Sequence, residues 1–105
     1  MDKIHHIAIQ IPDISKGVDL YVNNFETKIL HQDQIWAFLE FQNINLPLVI
    51  PDQHPPHMAF EKDDAEIYGE LTPHRNDAAF IYSKDPFSNN IEILKHNNKN
   101  IKNNE

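Results

Sequence analysis

Ile4-His5-His6-Ile7-Ala8-Ile9-Gln10-Ile11-Pro12-Asp13 is the stretch on which the reading of the fold turns. Residues 4–11 alternate with a period of two, the pattern of a strand with two unlike faces. Ile7, Ile9 and Ile11 point one way; His6, Ala8 and Gln10 point the other. Pro12-Asp13 ends the strand, and Asp13 is a good helix N-cap. Ile14, Val18, Tyr21, Val22 and Phe25 follow at helical spacing. Gly17 weakens that helix without overturning it, and Asn23-Asn24 marks its end.

Three short strands are predicted next, at 28–31, 35–41 and 46–50, with Asn43 and Asn45 supplying the last turn. Asp52-Gln53-His54-Pro55-Pro56 is a rigid connector. The pattern then repeats. A strand at 57–61 leads to a short helix from about 63 to 71, capped by Asp63 or Asp64. A connector at 72–77 leads to a strand at 78–83, and Asp85-Pro86-Phe87-Ser88-Asn89 turns into a last strand at 90–95. Residues 97–105 are rich in Asn and Lys and read as a disordered tail. Strand-helix-strands occurs twice, a duplication of organisation without obvious identity. The modules span about residues 3–51 and 56–96 of a single domain, and the second is the shorter.

A chain of 105 residues is one small domain, and 40% hydrophobic content suffices for one core. There is no cysteine, which excludes a disulfide framework, a thiolate zinc site and a cysteine nucleophile. Any metal must be held by imidazole, carboxylate and water. The net charge is -7 and the nine basic residues are scattered, which argues against a nucleic-acid partner. No apolar run reads as a signal peptide or membrane span, so a cytoplasmic location is expected. The small core favours a homodimer and leaves open whether two subunits share a site.

Three distant residues share one local grammar: His6, His57 in His57-Met58-Ala59-Phe60, and Glu92 in Asn90-Ile91-Glu92-Ile93-Leu94. Each is followed by an apolar residue on a predicted strand. His6 opposes Ile7 and Ile9 across the pleat, His57 opposes Met58 and Phe60, and Glu92 opposes Ile91 and Ile93. If the apolar faces pack on the helices, the two imidazoles and the carboxylate turn to the other side. Two histidines and one carboxylate suit a divalent ion with open positions for water and substrate oxygens. The alternative is two half-exposed strand histidines and a surface carboxylate.

These residues and their order resemble the vicinal oxygen chelate superfamily, the glyoxalase/bleomycin-resistance/dioxygenase group, over residues 3 to about 96. His6-Ile7-Ala8-Ile9-Gln10-Ile11-Pro12-Asp13 looks like its first strand and helix cap. His57-Met58-Ala59-Phe60 looks like the start of its second module, and Asp85 to Ile93 like its terminal turn and strand. The resemblance implies an α+β fold of two βαβββ modules whose sheets curl into an open, cupped mixed barrel. It also implies a divalent metal (Zn, Ni, Mn, Co or Fe) on His6, His57 and Glu92, and frequent dimerisation. Ser88 stands where the family usually has Gly. The fourth strand, Leu46-Pro47-Leu48-Val49-Ile50, carries no carboxylate, which tells against glyoxalase I activity in its usual form. The likeness is closer to three-ligand members such as fosfomycin-resistance enzymes and ring-cleaving dioxygenases.

Further candidates surround that set. Trp36, Phe38 and Glu40 share a face of one strand. On the cup side, Glu40 is a base or fourth ligand, and Trp36 and Phe38 line an apolar substrate pocket; on the helix side they are core. His74 is a candidate general base and Arg75 an anchor for an anionic substrate, with solvated loop residues as the alternative. Tyr82 is a further substrate-contact candidate; His54, in the connector near His57, is like His74 a candidate general base or a group that supports a ligand; Asp52 is a weaker carboxylate candidate. His5 reads as a partly buried or surface neighbour of His6, and His31 and His96 as surface residues. Asp63, Asp64 and Glu66 read as helix-start charges. The leading expectation is a metal-dependent lyase or isomerase acting on a small molecule with adjacent oxygens. A ferrous ring-cleaving dioxygenase is the next, and a non-catalytic ligand-binding protein of the bleomycin-resistance type is the rival from another class.

Overall fold

A computed structural model describes residues 1–74 and 78–96 of the chain. Residues fall into two compact units, His5–Met58 and a second formed by Met1–Ile4 with the chain from Ala59 onward.

The first unit has the βαβββ order read from the sequence. Strand β1 (Lys3–Gln10) leads to helix α1 (Ile14–Asn24), then β2 (Lys28–Gln32), β3 (Trp36–Glu40) and β4 (Asn45–Val49). The strand order is β2-β3-β4-β1. β2, β3 and β4 run antiparallel in sequence, and β1 lies parallel to β4. Asp13 caps α1 as expected, its carboxylate accepting from the Lys16 amide at 3.1 Å. The core gathers Ile14 and Val18 of α1 with Ala37, Leu39 and Leu48 of the sheet. Ile9 and Ile11 pack against this cluster, so the apolar face of β1 turns to the helix. Leu39 and Leu48 are the largest fully buried side chains among the described residues, each worth about 1.5–3 kcal/mol of burial.

Gly17 has a role that propensity does not show. It is buried, and a Cβ there would stand 2.7 Å from Cγ2 of Ile11 and 3.4 Å from Cδ1 of Leu48. The residue that weakens the helix locally lets it lie close on the sheet. A bulge between Ile29 and His31 shifts the register of β2 and sets His31 opposite Phe38.

The second unit departs further from expectation. It takes in Ala59 to Glu61 of β5 (His57–Glu61), then β6 (Thr72–His74), β7 (Ala78–Lys84) and β8 (Asn90–His96), in the order β5-β8-β7-β6. The helix expected at 63–71 is a single 3-10 turn, Ala65–Tyr68. Only Ala65 of that turn is buried, whereas Ile67 is 70% exposed, so little buried apolar surface holds a longer helix down. Gly69 then leaves helical space with φ 142°. The expected connector at 72–77 holds a strand instead: β6 pairs with β7, Thr72 opposite Phe80 and His74 opposite Ala78. Thr72-Pro73-His74 is too short to show a period, and Pro73 disguises it. The predicted tail lies outside the described residues.

The last turn is tied by one side chain. Oδ1 of Asp85 accepts from the amides of Phe87 and Asn89 at 2.8 and 2.9 Å, and its Oδ2 from the Asn89 side chain at 2.8 Å. These bonds hold the Asp85 carboxyl below its ordinary pKa, that from the Asn89 side chain first. Ser88, where the resemblance led one to expect Gly, adopts φ 72°. The α+β class and the first βαβββ module are as read; the second module keeps its strands and loses its helix.

Candidate metal centre

Two of the three predicted ligands meet within the first unit. His6 lies mid-way along β1, and His57 is the first residue of β5 but belongs to the first unit. Their Nε2 atoms are 3.4 Å apart, across 51 residues of sequence. The imidazole planes stand at 77° with centroids 5.4 Å apart. His57 is buried and His6 half-buried.

The Nδ1 atoms decide which nitrogens face each other as lone pairs. Nδ1 of His57 lies 2.9 Å from the carbonyl oxygen of Pro55. A carbonyl only accepts, so His57 donates through Nδ1–H and its neutral ring carries the lone pair on Nε2. The Pro55-Pro56 pair fixes the direction of that carbonyl. Nδ1 of His6 lies 2.8 Å from Nδ1 of His5, so one of these donates to the other. The Nε2–Nε2 distance also suits an ion. Two metal–nitrogen bonds of about 2.1 Å meeting at a tetrahedral angle separate the nitrogens by about 3.4 Å. The donor set therefore fits a divalent cation, with both Nε2 atoms at ligand spacing.

Glu92, the third predicted ligand, sits on β8 in the second unit, opposite Tyr82 of β7. It is only 6% exposed and is followed by buried Ile93. A carboxylate so deep in a sheet is costly unless its charge is compensated. Its field reaches Tyr82: burial first, then the negative charge of Glu92, push the phenol up to about 12. Tyr82 is therefore a neutral hydroxyl beside Glu92 over the whole physiological range.

The remaining candidates divide by location. Ala37 and Leu39 of β3 enter the core, so Trp36, Phe38 and Glu40 occupy the opposite face. Phe38 stands edge-on to His6 at 6.5 Å between centroids and 5.7 Å from Trp36. Trp36 in turn stacks on His31 at 4.4 Å. His31 is thus part of an aromatic row that begins at His6, a role its surface-like sequence context hid. Glu40 is exposed, in register with Lys28 and with Asn45, which is itself opposite His6. It lines a surface hollow with Lys28, Phe41 and Gln42. His54 is exposed, and its carbonyl accepts from the Gln10 side chain at 2.8 Å. Asp52 is exposed on the same connector. The backbone of His74 lies in β6; its side chain and all of Arg75 lie outside the described residues. His96, expected on the surface, is half-buried and bonds Glu61 at 2.8 Å. Asp63 and Asp64 are exposed and start no α-helix; Glu66 pairs with Lys95.

No protein-family model and no curated protein matches this sequence. Solved structures do match its fold. A hypothetical protein from Bacillus halodurans C-125 is 19% identical over 90% of this chain and 94% of its own, with TM-score 0.68. A glyoxalase/bleomycin resistance protein/dioxygenase superfamily member from Vibrio splendidus 12B01 is 8% identical over 90% and 99%, with TM-score 0.67. A protein from Legionella pneumophila described as an NAD-dependent benzaldehyde dehydrogenase is 12% identical over 86% and 96%, with TM-score 0.61. At these identities the likeness is one of fold, and fold does not select a chemistry.

Proposed function

We propose that this chain, which has the fold seen in the glyoxalase/bleomycin resistance/dioxygenase superfamily, is a divalent-metal-dependent enzyme. Its substrate is a small molecule with vicinal oxygens, and its chemistry is of the lyase or isomerase kind. The observation that carries the reading is the 3.4 Å approach of the His6 and His57 Nε2 atoms, with His57 held as a ligand-competent tautomer by Pro55. His6 and His57, both in the first unit, are the ligand pair that supports it. When bound, zinc, nickel, manganese, cobalt or iron supplies Lewis-acid stabilisation of an oxyanion at neighbouring oxygens.

The chain's own groups supply the rest. Phe38 and Trp36 offer an apolar wall leading away from His6. Tyr82 stays protonated beside Glu92 and serves as a hydroxyl donor to a substrate oxygen. Glu40 and His74 are the candidate proton-transfer groups, and Arg75 the anchor for an anionic substrate group. No helix among the described residues is long and apolar enough to cross a membrane. The protein acts in the cytoplasm as a homodimer; exposed Leu20, Phe25, Ile29 and Ile35 give the apolar surface that such pairing would cover.

Metal analysis of protein purified without chelator tests the reading, followed by thermal unfolding before and after chelation. One ion per chain is expected. Saturation at a hundred times Kd would add about 2.7 kcal/mol to stability, a rise of roughly 10 °C. Absence of a stoichiometric ion together with an unmoved Tm on adding each candidate metal would refute it. Oxygen consumption with ferrous iron would move the assignment to the dioxygenase branch.

A further inference from the structure

We propose that His5 is the positioning residue that makes His6 a metal ligand. The inference rests on the proposed metal-dependent function and adds a role that neither the fold nor strand alternation assigns. Neighbouring strand residues point to opposite faces, so His5 and His6 are expected to be independent. Instead their rings meet edge to face, centroids 5.0 Å apart at 77°, with the two Nδ1 atoms 2.8 Å apart. That distance is a full hydrogen bond, and a single proton serves it.

The position of that proton sets the chemistry of the far nitrogen. If His6 donates through Nδ1–H, its neutral ring carries the lone pair on Nε2, the atom 3.4 Å from Nε2 of His57. If His5 donates, the Nδ1 of His6 is the acceptor, and neutral His6 must carry hydrogen on Nε2. That tautomer cannot ligate an ion with Nε2. An acceptor at the position of His5 Nδ1 therefore selects the competent form of His6, as the Pro55 carbonyl does for His57. The two ligands are held by different devices: a backbone oxygen that can only accept, and a ring nitrogen that must be in the accepting tautomer. His6 is thus the ligand whose competence depends on a neighbouring side chain. No bond other than the hydrogen bond changes: the proton stays on His6 Nδ1, and His5 carries its own on Nε2.

Three full-length variants distinguish this role from packing: His5→Phe, which keeps a ring but has no acceptor; His5→Asn, whose Oδ1 falls close to the place of Nδ1; and His57→Ala, which removes a ligand outright. The probe is zinc or cobalt(II) alone, titrated calorimetrically into metal-free protein. His5→Phe should bind about 10–100-fold more weakly than wild type, His5→Asn should recover most of the loss, and unfolding of the metal-free His5 variants should be unchanged. Long-range imidazole proton–nitrogen NMR of the metal-free wild type should show His6 protonated at Nδ1 in the major tautomer. Wild-type affinity in His5→Phe, or equal loss in His5→Phe and His5→Asn, overturns the proposal while leaving the metal site standing. Wild-type protein that binds neither ion overturns the metal site and this role together.

Discussion

The two halves of this molecule repeat one strand pattern with unequal means. The first unit packs an eleven-residue helix on its sheet and closes a core around Leu39 and Leu48. The second replaces the helix with one 3-10 turn. It is held instead by strand pairing, a turn knotted through Asp85, and ion pairs such as Lys62 with Asp2 at 3.0 Å and Lys95 with Glu66. Exposed ion pairs contribute little each, so the first unit carries most of the apolar stabilisation. The difference is one of construction: the first unit carries His6, His57 and a helix-packed core, and the second carries Glu92 and no helix longer than one turn.

Core truncation should expose that imbalance most strongly. Leu48→Ala should cost about 2–5 kcal/mol, whereas Ile67→Ala in the 3-10 turn should stay within about 0.5 kcal/mol, both read by urea unfolding. Similar losses at the two sites would contradict the imbalance. The glycines come next. Gly69→Ala meets Cδ1 of Ile81 at 2.5 Å with φ 142°, so contact and backbone strain act together; about 1–3 kcal/mol is expected. Gly17→Ala meets Cγ2 of Ile11 at 2.7 Å, but gains helix propensity of up to about 1 kcal/mol. Overpacking of about 1–3 kcal/mol exceeds that gain, so Gly17→Ala should destabilise by the smaller amount. A stabilised Gly17→Ala would show that the helix does not rest on the sheet through that contact.

The same comparison explains what could be read in advance. Ile9, Ile11, Ile14 and Val18 announce their faces by period, and the element they build matches the reading from cap to core. Around Asp63 to Leu71 the sequence has helix-start charges and apolar Ala65, Tyr68 and Leu71 at helical spacing, but Gly69 ends the segment after one turn. Strand β6 has three residues, one of them proline, below the length at which alternation is visible. In the site, His6 and His57 were legible because each stands directly before an apolar residue on a predicted strand. The partners of their Nδ1 atoms were not. The Pro55 carbonyl carries no side-chain signal, and His5 was masked by the alternation rule that correctly placed His6.

Smaller effects fall on one turn in each unit. Asp33 accepts from the Trp36 and Ile35 amides in the β2–β3 turn, and these bonds, with that to His31, lower its pKa from 3.8. Asp85 is lowered from the same value by Asn89 and by the turn amides. A depressed carboxylate pKa contributes stability that is complete above the unfolded value and is lost as pH falls through the folded one. Unfolding followed from pH 6 down to about pH 2 should therefore show stability falling below about pH 4. Asp33→Asn and Asp85→Asn should each flatten that slope. An unchanged slope in both would show that these turns do not contribute to stability at acid pH. Ser88→Gly should have the least effect: it relieves φ 72° but loosens the unfolded chain, for a net gain of under about 1 kcal/mol in thermal unfolding.

Whether the His6 and His57 imidazoles hold one cation decides between a metal centre and a pair of strand histidines. Cobalt(II) titrated into metal-free protein and followed by its visible absorption answers this. The wild type should saturate at one equivalent. His6→Ala and His57→Ala should each abolish tight binding. A His57→Ala variant whose affinity and spectrum match the wild type, or a wild type that develops no cobalt spectrum, would contradict a metal centre on this pair.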